Sequence, residues 1–269
     1  MKLLKITLAV LLAVVSVLYG ITTIRTSHSG KGVGPTISCA SDTLEVPVSA
    51  GEAELLAGIT ASDPQDGDLT DQVLVLAVSK FSTPGTAKIT YVVFDKDHNM
   101  ASVSRQLHYT DYTSPVLTIT QPLIYGQNAT IELLDRIRVT DVIDGDITHA
   151  VRVSNKHTTS DPEVYTVDIQ VTNSMGDTVQ LTLPIICQES TLNRAEVRLN
   201  AYLSYIDVGS GFDPNAYLMA VETPNGYGYT RDVQISGTVD TYTPGTYQVF
   251  YRYRDENCSG TSILTVVVQ

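Results

Sequence analysis

An eight-residue acidic stretch occurs twice in this chain at a fixed spacing, and that recurrence limits the fold more than any other feature. Asp63-Pro64-Gln65-Asp66-Gly67-Asp68-Leu69-Thr70 returns 78 positions later as Asp141-Val142-Ile143-Asp144-Gly145-Asp146-Ile147-Thr148. Upstream, Leu55, Leu56 and Ile59 fall on Leu133, Leu134 and Ile137; downstream, with no gap, Pro84 falls on Pro162 and Asp95 on Asn173. A constant period over about forty residues marks duplicated structural units. A third copy is more diverged. Thr243-Pro244-Gly245-Thr246 through Asp255 aligns with Thr83-Pro84-Gly85-Thr86 through Asp95, and Thr230 keeps register with Thr70 and Thr148. Its three carboxylates, however, have become Thr223, Gly226 and Gly228.

Within the copies, apolar residues alternate with polar ones over short runs: 43–48, 73–78, 87–94 and 102–109 in the first; 118–120, 136–140, 151–154, 165–171 and 178–186 in the second. Period two, broken by Asp, Gly and Pro clusters, predicts half-buried antiparallel strands. Glu52–Leu56 is the one candidate helical turn in this part of the chain. Six or seven short strands in each unit of 75 to 80 residues suit a small immunoglobulin-like β-sandwich. The expected fold is therefore all-β: three tandem sandwiches at 35–111, 112–188 and 189–269, after a distinct segment at 1–34.

Residues 6–24 contain no charge and follow Lys2 and Lys5. Nineteen helical residues would span about 28 Å, close to the hydrocarbon core of a bilayer. The run is longer than a secretory h-region, and no Ala-x-Ala cleavage site follows it. Two readings stand: an uncleaved signal-anchor that leaves the body outside the cell membrane, or a cleaved signal and secretion. Residues 25–34 are polar and glycine-rich, a short tether. Beyond residue 34 the chain holds 13 basic and 29 acidic residues, net −16. So acidic a body lacks the positive footprint that nucleic acid requires.

The pattern Asp-x-x-Asp-Gly-Asp-[Leu/Ile]-Thr, then Pro-Gly-Thr-x-x-[Val/Ile]-x-Tyr and a closing Asp, resembles the bacterial immunoglobulin-like surface domain found in some insecticidal crystal toxins and in Gram-positive exported proteins. The second copy departs from it with Asp161-Pro162-Glu163 and with Asn173. The resemblance implies extracellular repeat modules with spacer, adhesion or glycan-binding roles and no chemistry of their own.

Three groups of residues are candidates for more than packing. In a sandwich of this topology Asp63, Asp66 and Asp68 should lie near Asp95 and Asp97. Asp141, Asp144 and Asp146 should face a junction holding Asp111. Such oxygen-rich clusters suit Ca²⁺, which takes six to eight oxygen ligands. The simpler reading is a self-sufficient turn, because Asp accepts from backbone N–H groups two residues on and Gly supplies a positive φ. No other cofactor is implied. Of the three cysteines, Cys39 has no candidate partner, whereas abutting poles of units two and three would bring Cys187 to Cys258 as an inter-unit disulfide; the alternative is free thiols. Phe212 and Tyr242 are expected at an exposed distal tip, as contacts for a protein or a glycan. No catalytic motif appears: there is no Gly-x-Ser-x-Gly, no His-Glu-x-x-His and no phosphate-cradling loop. The sequence thus points to a non-enzymatic surface module for adhesion, display or spacing, or to a carbohydrate-binding or wall-associated accessory.

Overall fold

The computed structural model describes residues 33–127, 129–188 and 193–269. The apolar run at 6–24 lies outside them. No helix among the described residues is long and apolar enough to cross a membrane.

The described residues are all-β, and one strand order appears three times. The first series is β1 (Thr36–Cys39), β2 (Thr43–Val46), β3 (Ile59–Asp63), β4 (Gly67–Asp68), β5 (Leu74–Val78), β6 (Thr86–Phe94) and β7 (Met100–Tyr109), with the single turn of helix α1 (Glu52–Leu55). The second is β8 (Val116–Ile119), β9 (Ile124–Gly126), β10 (Ile137–Asp141), β11 (Gly145–Asp146), β12 (Arg152–Thr158), β13 (Val164–Thr172) and β14 (Thr178–Gln188). The third is β15 (Glu196–Leu199), β16 (Leu203–Ile206), β17 (Leu218–Thr223), β18 (Gly226–Gly228), β19 (Gln234–Ser236), β20 (Gly245–Arg254) and β21 (Ser259–Val268). Each series forms a three-stranded sheet (β1-β3-β4, β8-β10-β11, β15-β17-β18) and a four-stranded one (β2-β7-β6-β5, β9-β14-β13-β12, β16-β21-β20-β19). In all three, the second strand pairs parallel with the last. The strands fall where the period-two runs predicted them, and α1 falls on the predicted helical turn.

Grouped by packing, the chain divides into two compact units. One takes Leu56–Leu76 and Thr90–Ser104 with the described residues before Ser41. In it β1 pairs antiparallel with β3, and Ile59, Ala61, Leu69, Val73, Tyr91 and Val93 are buried. The other takes Ser41–Leu55, Ala77–Ile89 and Arg105–Gln269. One of its cores gathers Leu117, Val139, Leu183 and Ile185; another gathers Val197, Val221, Tyr251, Leu264 and Val266. Each such fully buried aliphatic side chain contributes about 1.5–3 kcal/mol relative to exposure.

Those two cores are not separated by solvent. The outward side chains of β21 are buried too: Val267 joins the first core, and Ile263 packs with Val164 and Ile186 against Ile124 and Phe250. Tyr205 completes the contact through its hydroxyl, which accepts from the Leu117 N–H at 3.3 Å and donates to the Leu117 carbonyl at 3.1 Å.

The expected Cys187–Cys258 disulfide is not formed, and all three cysteines are free thiols. The physical reason is that each sulfur belongs to a different interior. Cys187 packs against the core of β13 and β14, and Cys258 is buried in that of β20 and β21. Cys258 also donates to Asp255 Oδ2 at 3.4 Å. Burial, followed by the Asp255 carboxylate, pushes its thiol above the ordinary value.

Candidate functional site

The acidic turns are built the same way in both copies. Asp63 ends β3, and its Oδ1 accepts from the N–H groups of Gln65 and Asp66 at 2.8 and 2.9 Å. Gly67 then takes φ +79°, which only glycine adopts without strain. Asp68 Oδ1 accepts from Thr70 N–H at 2.9 Å, and the Thr70 hydroxyl accepts from Ala61 N–H at 3.1 Å. In the second copy Asp141 Oδ1 caps Ile143 and Asp144, Gly145 has φ +71°, Asp146 accepts from Thr148, and the Thr148 hydroxyl accepts from Val139 N–H.

The middle carboxylate does something else: it ties this turn to the one between the last two strands of its series. Asp66 accepts from Lys96 N–H at 2.8 Å and pairs with Lys96 Nζ at 2.9 Å. Asp144 accepts from Ser174 N–H at 2.6 Å and from its hydroxyl at 2.7 Å. Asp95 is likewise committed, Oδ1 to Asn99 N–H and Oδ2 to Asn99 Nδ2, both at 2.7 Å. Asp111 accepts from Val48 N–H at 2.7 Å. The carboxylates therefore serve backbone and side-chain donors one by one. Among the described residues no group of three or more His, Cys, Asp or Glu side chains is arranged to hold a metal ion. Asp97 accepts no hydrogen bond from the described residues and is exposed.

The hydrogen bonds to these carboxylates set their acidity. The Lys96 N–H, then its ammonium, holds Asp66 below the usual carboxylate range. The Thr70 and Thr148 donors do the same for Asp68 and Asp146.

Two partners were not legible beforehand. Asn173, buried, donates to Asp141 Oδ2 at 3.0 Å and to the Tyr112 hydroxyl at 2.9 Å; that hydroxyl donates in turn to Asp177 at 2.7 Å. The linker residue that reaches the second acidic turn is thus Tyr112, not Asp111. Position 95 corresponds to 173 but holds a carboxylate, and Asp63 Oδ2, on a residue only 5% exposed, has no hydrogen-bond partner.

At one of the three positions that lost a carboxylate, the third copy has no room for one. A Cβ on Gly228, the counterpart of Asp68 and Asp146, would lie 2.8 Å from Tyr253 Cζ and 2.9 Å from Val221 Cγ1. The ring of Tyr253 occupies the room an Asp side chain would need.

Of the two expected contact residues, Tyr242 is 77% exposed. Phe212 is instead half-buried, packed on Tyr217 with ring centroids 5.7 Å apart and resting on the third core. Its apolar ring finds cover that a loop position alone does not reveal. Tyr227 and Tyr229 of the β17–β18 hairpin are exposed, with the Arg231 guanidinium 4.5 Å from the Tyr229 ring; their alternation beside Gly226 and Gly228 was the available signal.

Residues 201–268 match the model of the bacterial surface protein, Ig-like domain. This segment is a bacterial surface Ig-like domain. It takes in strands β16 to β21, so the third copy, the most diverged in its acidic turn, is the one that carries the family match. No curated protein matches the chain. Among solved structures, CBM51-2 with INT domains of Clostridium perfringens ZmpB, in complex with GlcNAc, is similar at 19% identity over 55% of this chain and 26% of that one, TM-score 0.24. The lipoprotein BT2262 of Bacteroides thetaiotaomicron is similar at 12% identity over 86% and 98%, TM-score 0.22. The protocadherin GammaB4 extracellular domain is similar at 10% identity over 89% and 50%, TM-score 0.22. The chain thus spans about a quarter of the first of these and half of the last. Likenesses of this size carry no argument about ligands or partners.

Proposed function

We propose that the chain is a non-enzymatic cell-surface protein made of three tandem immunoglobulin-like sandwiches, acting in adhesion, display or spacing. The observation that carries this reading is the seven-strand order repeated three times, joined to the Ig-like family match at 201–268. The uncharged run at 6–24 behind Lys2 and Lys5 supplies the membrane anchor, and residues 25–34 the tether. The body then faces outward and meets a protein or a glycan at the cell surface.

Intact cells treated with a membrane-impermeant biotin reagent test this. The expected result is labelling of the protein and its recovery in the membrane fraction, with the label lost after external proteinase K. A protein protected from both reagents in intact cells, and labelled only after lysis, would sink the proposal.

A further inference from the structure

The outward face of β12, β13 and β14 carries polar side chains in rows. Arg152, Gln170 and Gln180 stand opposite one another across the three strands, and Ser154, Asp168 and Thr182 form the next row. The register of β12 shifts between Ser154 and Lys156, and Asn155 at the shift has φ +24°. A bulge bends its strand and re-aims the neighbouring side chains. A non-glycine residue at positive φ persists only where its surroundings enforce it, which happens most often at binding sites.

Beside this bulge opens a groove of about 560 Å³, lined by Ser154, Asn155, Asp168, Gln170, Gln180 and Thr246, the last contributed by β20. A volume of that size suits a small ligand. Asp168 is fully engaged: its Oδ2 lies 2.9 Å from His157 Nε2 and accepts from Asn155 Nδ2 at 3.3 Å, and its Oδ1 accepts from the Thr182 hydroxyl at 2.8 Å. The Gln170 and Gln180 amides, both exposed, have no hydrogen-bond partner among the described residues.

The chemistry of the lining selects the ligand. No lysine or arginine lines the groove itself, its single carboxylate is already taken, and Arg152 flanks it from the edge strand opposite Gln170, so the lining offers amides and hydroxyls in place of a counter-charge. Ile169 and Leu181 are buried beneath the polar face, so a lipid meets no apolar wall. What remains free is two amides on neighbouring strands about 4.8 Å apart, each offering two donors and an acceptor. Vicinal hydroxyls of a sugar ring, each both donor and acceptor, complement that array.

We propose that this groove binds a neutral carbohydrate chain, with the Gln170 and Gln180 amides reading its hydroxyls. The assignment rests on the surface reading above for where the glycan is met, while the binding itself is a property of the purified chain. Saturation-transfer NMR on the detergent-solubilised full chain, with chitotetraose, cellotetraose and mannotetraose as probes, tests it. At least one probe should show saturable transfer. The Gln170→Ala/Gln180→Ala double variant should weaken it about tenfold, the loss expected for two neutral hydrogen bonds, while Met219→Ala, at an exposed position outside the groove, leaves it unchanged. No transfer from any of the three sugars, or undiminished transfer with the double variant of unchanged melting temperature, overturns the proposal. Binding that survives while intact cells fail to label would leave the groove standing and sink the surface reading alone.

Discussion

Asp144 and Ser174 are joined through both carboxylate oxygens, Oδ2 to the backbone N–H and Oδ1 to the hydroxyl. The same tie is made 78 residues earlier between Asp66 and Lys96, with an ammonium in place of the hydroxyl. What the repeat preserves is a tether between two turns, and the second partner is free to vary because one of the two bonds goes to the backbone.

Removing the tether should loosen both turns. Asp144→Ala gives up two charge-assisted hydrogen bonds and is expected to cost about 1–2 kcal/mol, read as a lower urea midpoint at unchanged m-value. Asp144→Asn should recover part of the loss, since its amide oxygen still accepts from Ser174 N–H. Equal stability of Asp144→Ala and the parent would show that the tether is incidental.

The first copy can be improved by copying the second. Asp141 Oδ2 receives a hydrogen bond from Asn173, whereas the corresponding oxygen of Asp63 is buried without one. Asp95→Asn places an amide where Asn173 stands in the second copy, and should stabilise the first by about 1 kcal/mol, once Asn99 turns its own amide to present oxygen. Hydrogen exchange of the β3 and β6 amides would register the gain.

Acid should weaken the fold through these same groups. Asp66, Asp68, Asp146 and Asp168 are each held below the ordinary carboxylate value of 3.8, by Lys96, Thr70, Thr148 and His157 respectively. A carboxyl depressed in the folded state stabilises above its unfolded value, and that contribution is lost as pH falls through the folded one. Stability is therefore expected to be level from neutral pH to the upper edge of the carboxylate range and to decline below it. Melting temperatures across that window check the sign; a rise on acidification would contradict it.

Gly228→Ala tests the packing of the third copy. The added methyl meets the Tyr253 ring and Val221, and such overpacking costs about 1–3 kcal/mol. Combining it with Tyr253→Leu, which removes the ring, should relieve the part of that cost due to Tyr253 and leave the part due to Val221 in a double-mutant cycle.

Strand positions were legible because one side of each sheet is buried and one is wet, so Thr43–Val46 and Thr86–Phe94 print an alternating pattern. The run Ile263-Leu264-Thr265-Val266-Val267-Val268 prints no such pattern, and the structure explains it: β21 is buried on both faces. The fate of the acidic turns was not legible. Asp-x-x-Asp-Gly-Asp reads most simply as a capped turn and alternatively as a cation loop, and the sequence does not reveal that the middle carboxylate is engaged by Lys96 or Ser174 thirty residues away. The hydrogen bonds of Asn173 to Asp141 and Tyr112 were hidden for the same reason. The cysteine pairing failed because pole-to-pole stacking was assumed where β21 packs broadside on its neighbour.

The parallel pairing of the second strand with the last has a mechanical meaning. Leu203–Ile206 lies along Thr265–Val268, Ile124–Gly126 along Ile186–Gln188, and Thr43–Val46 along Gln106–Tyr109. A pull applied at the two ends of any one series would drive these partners lengthwise past each other, loading their hydrogen bonds together in shear. None of the three could be peeled open a bond at a time.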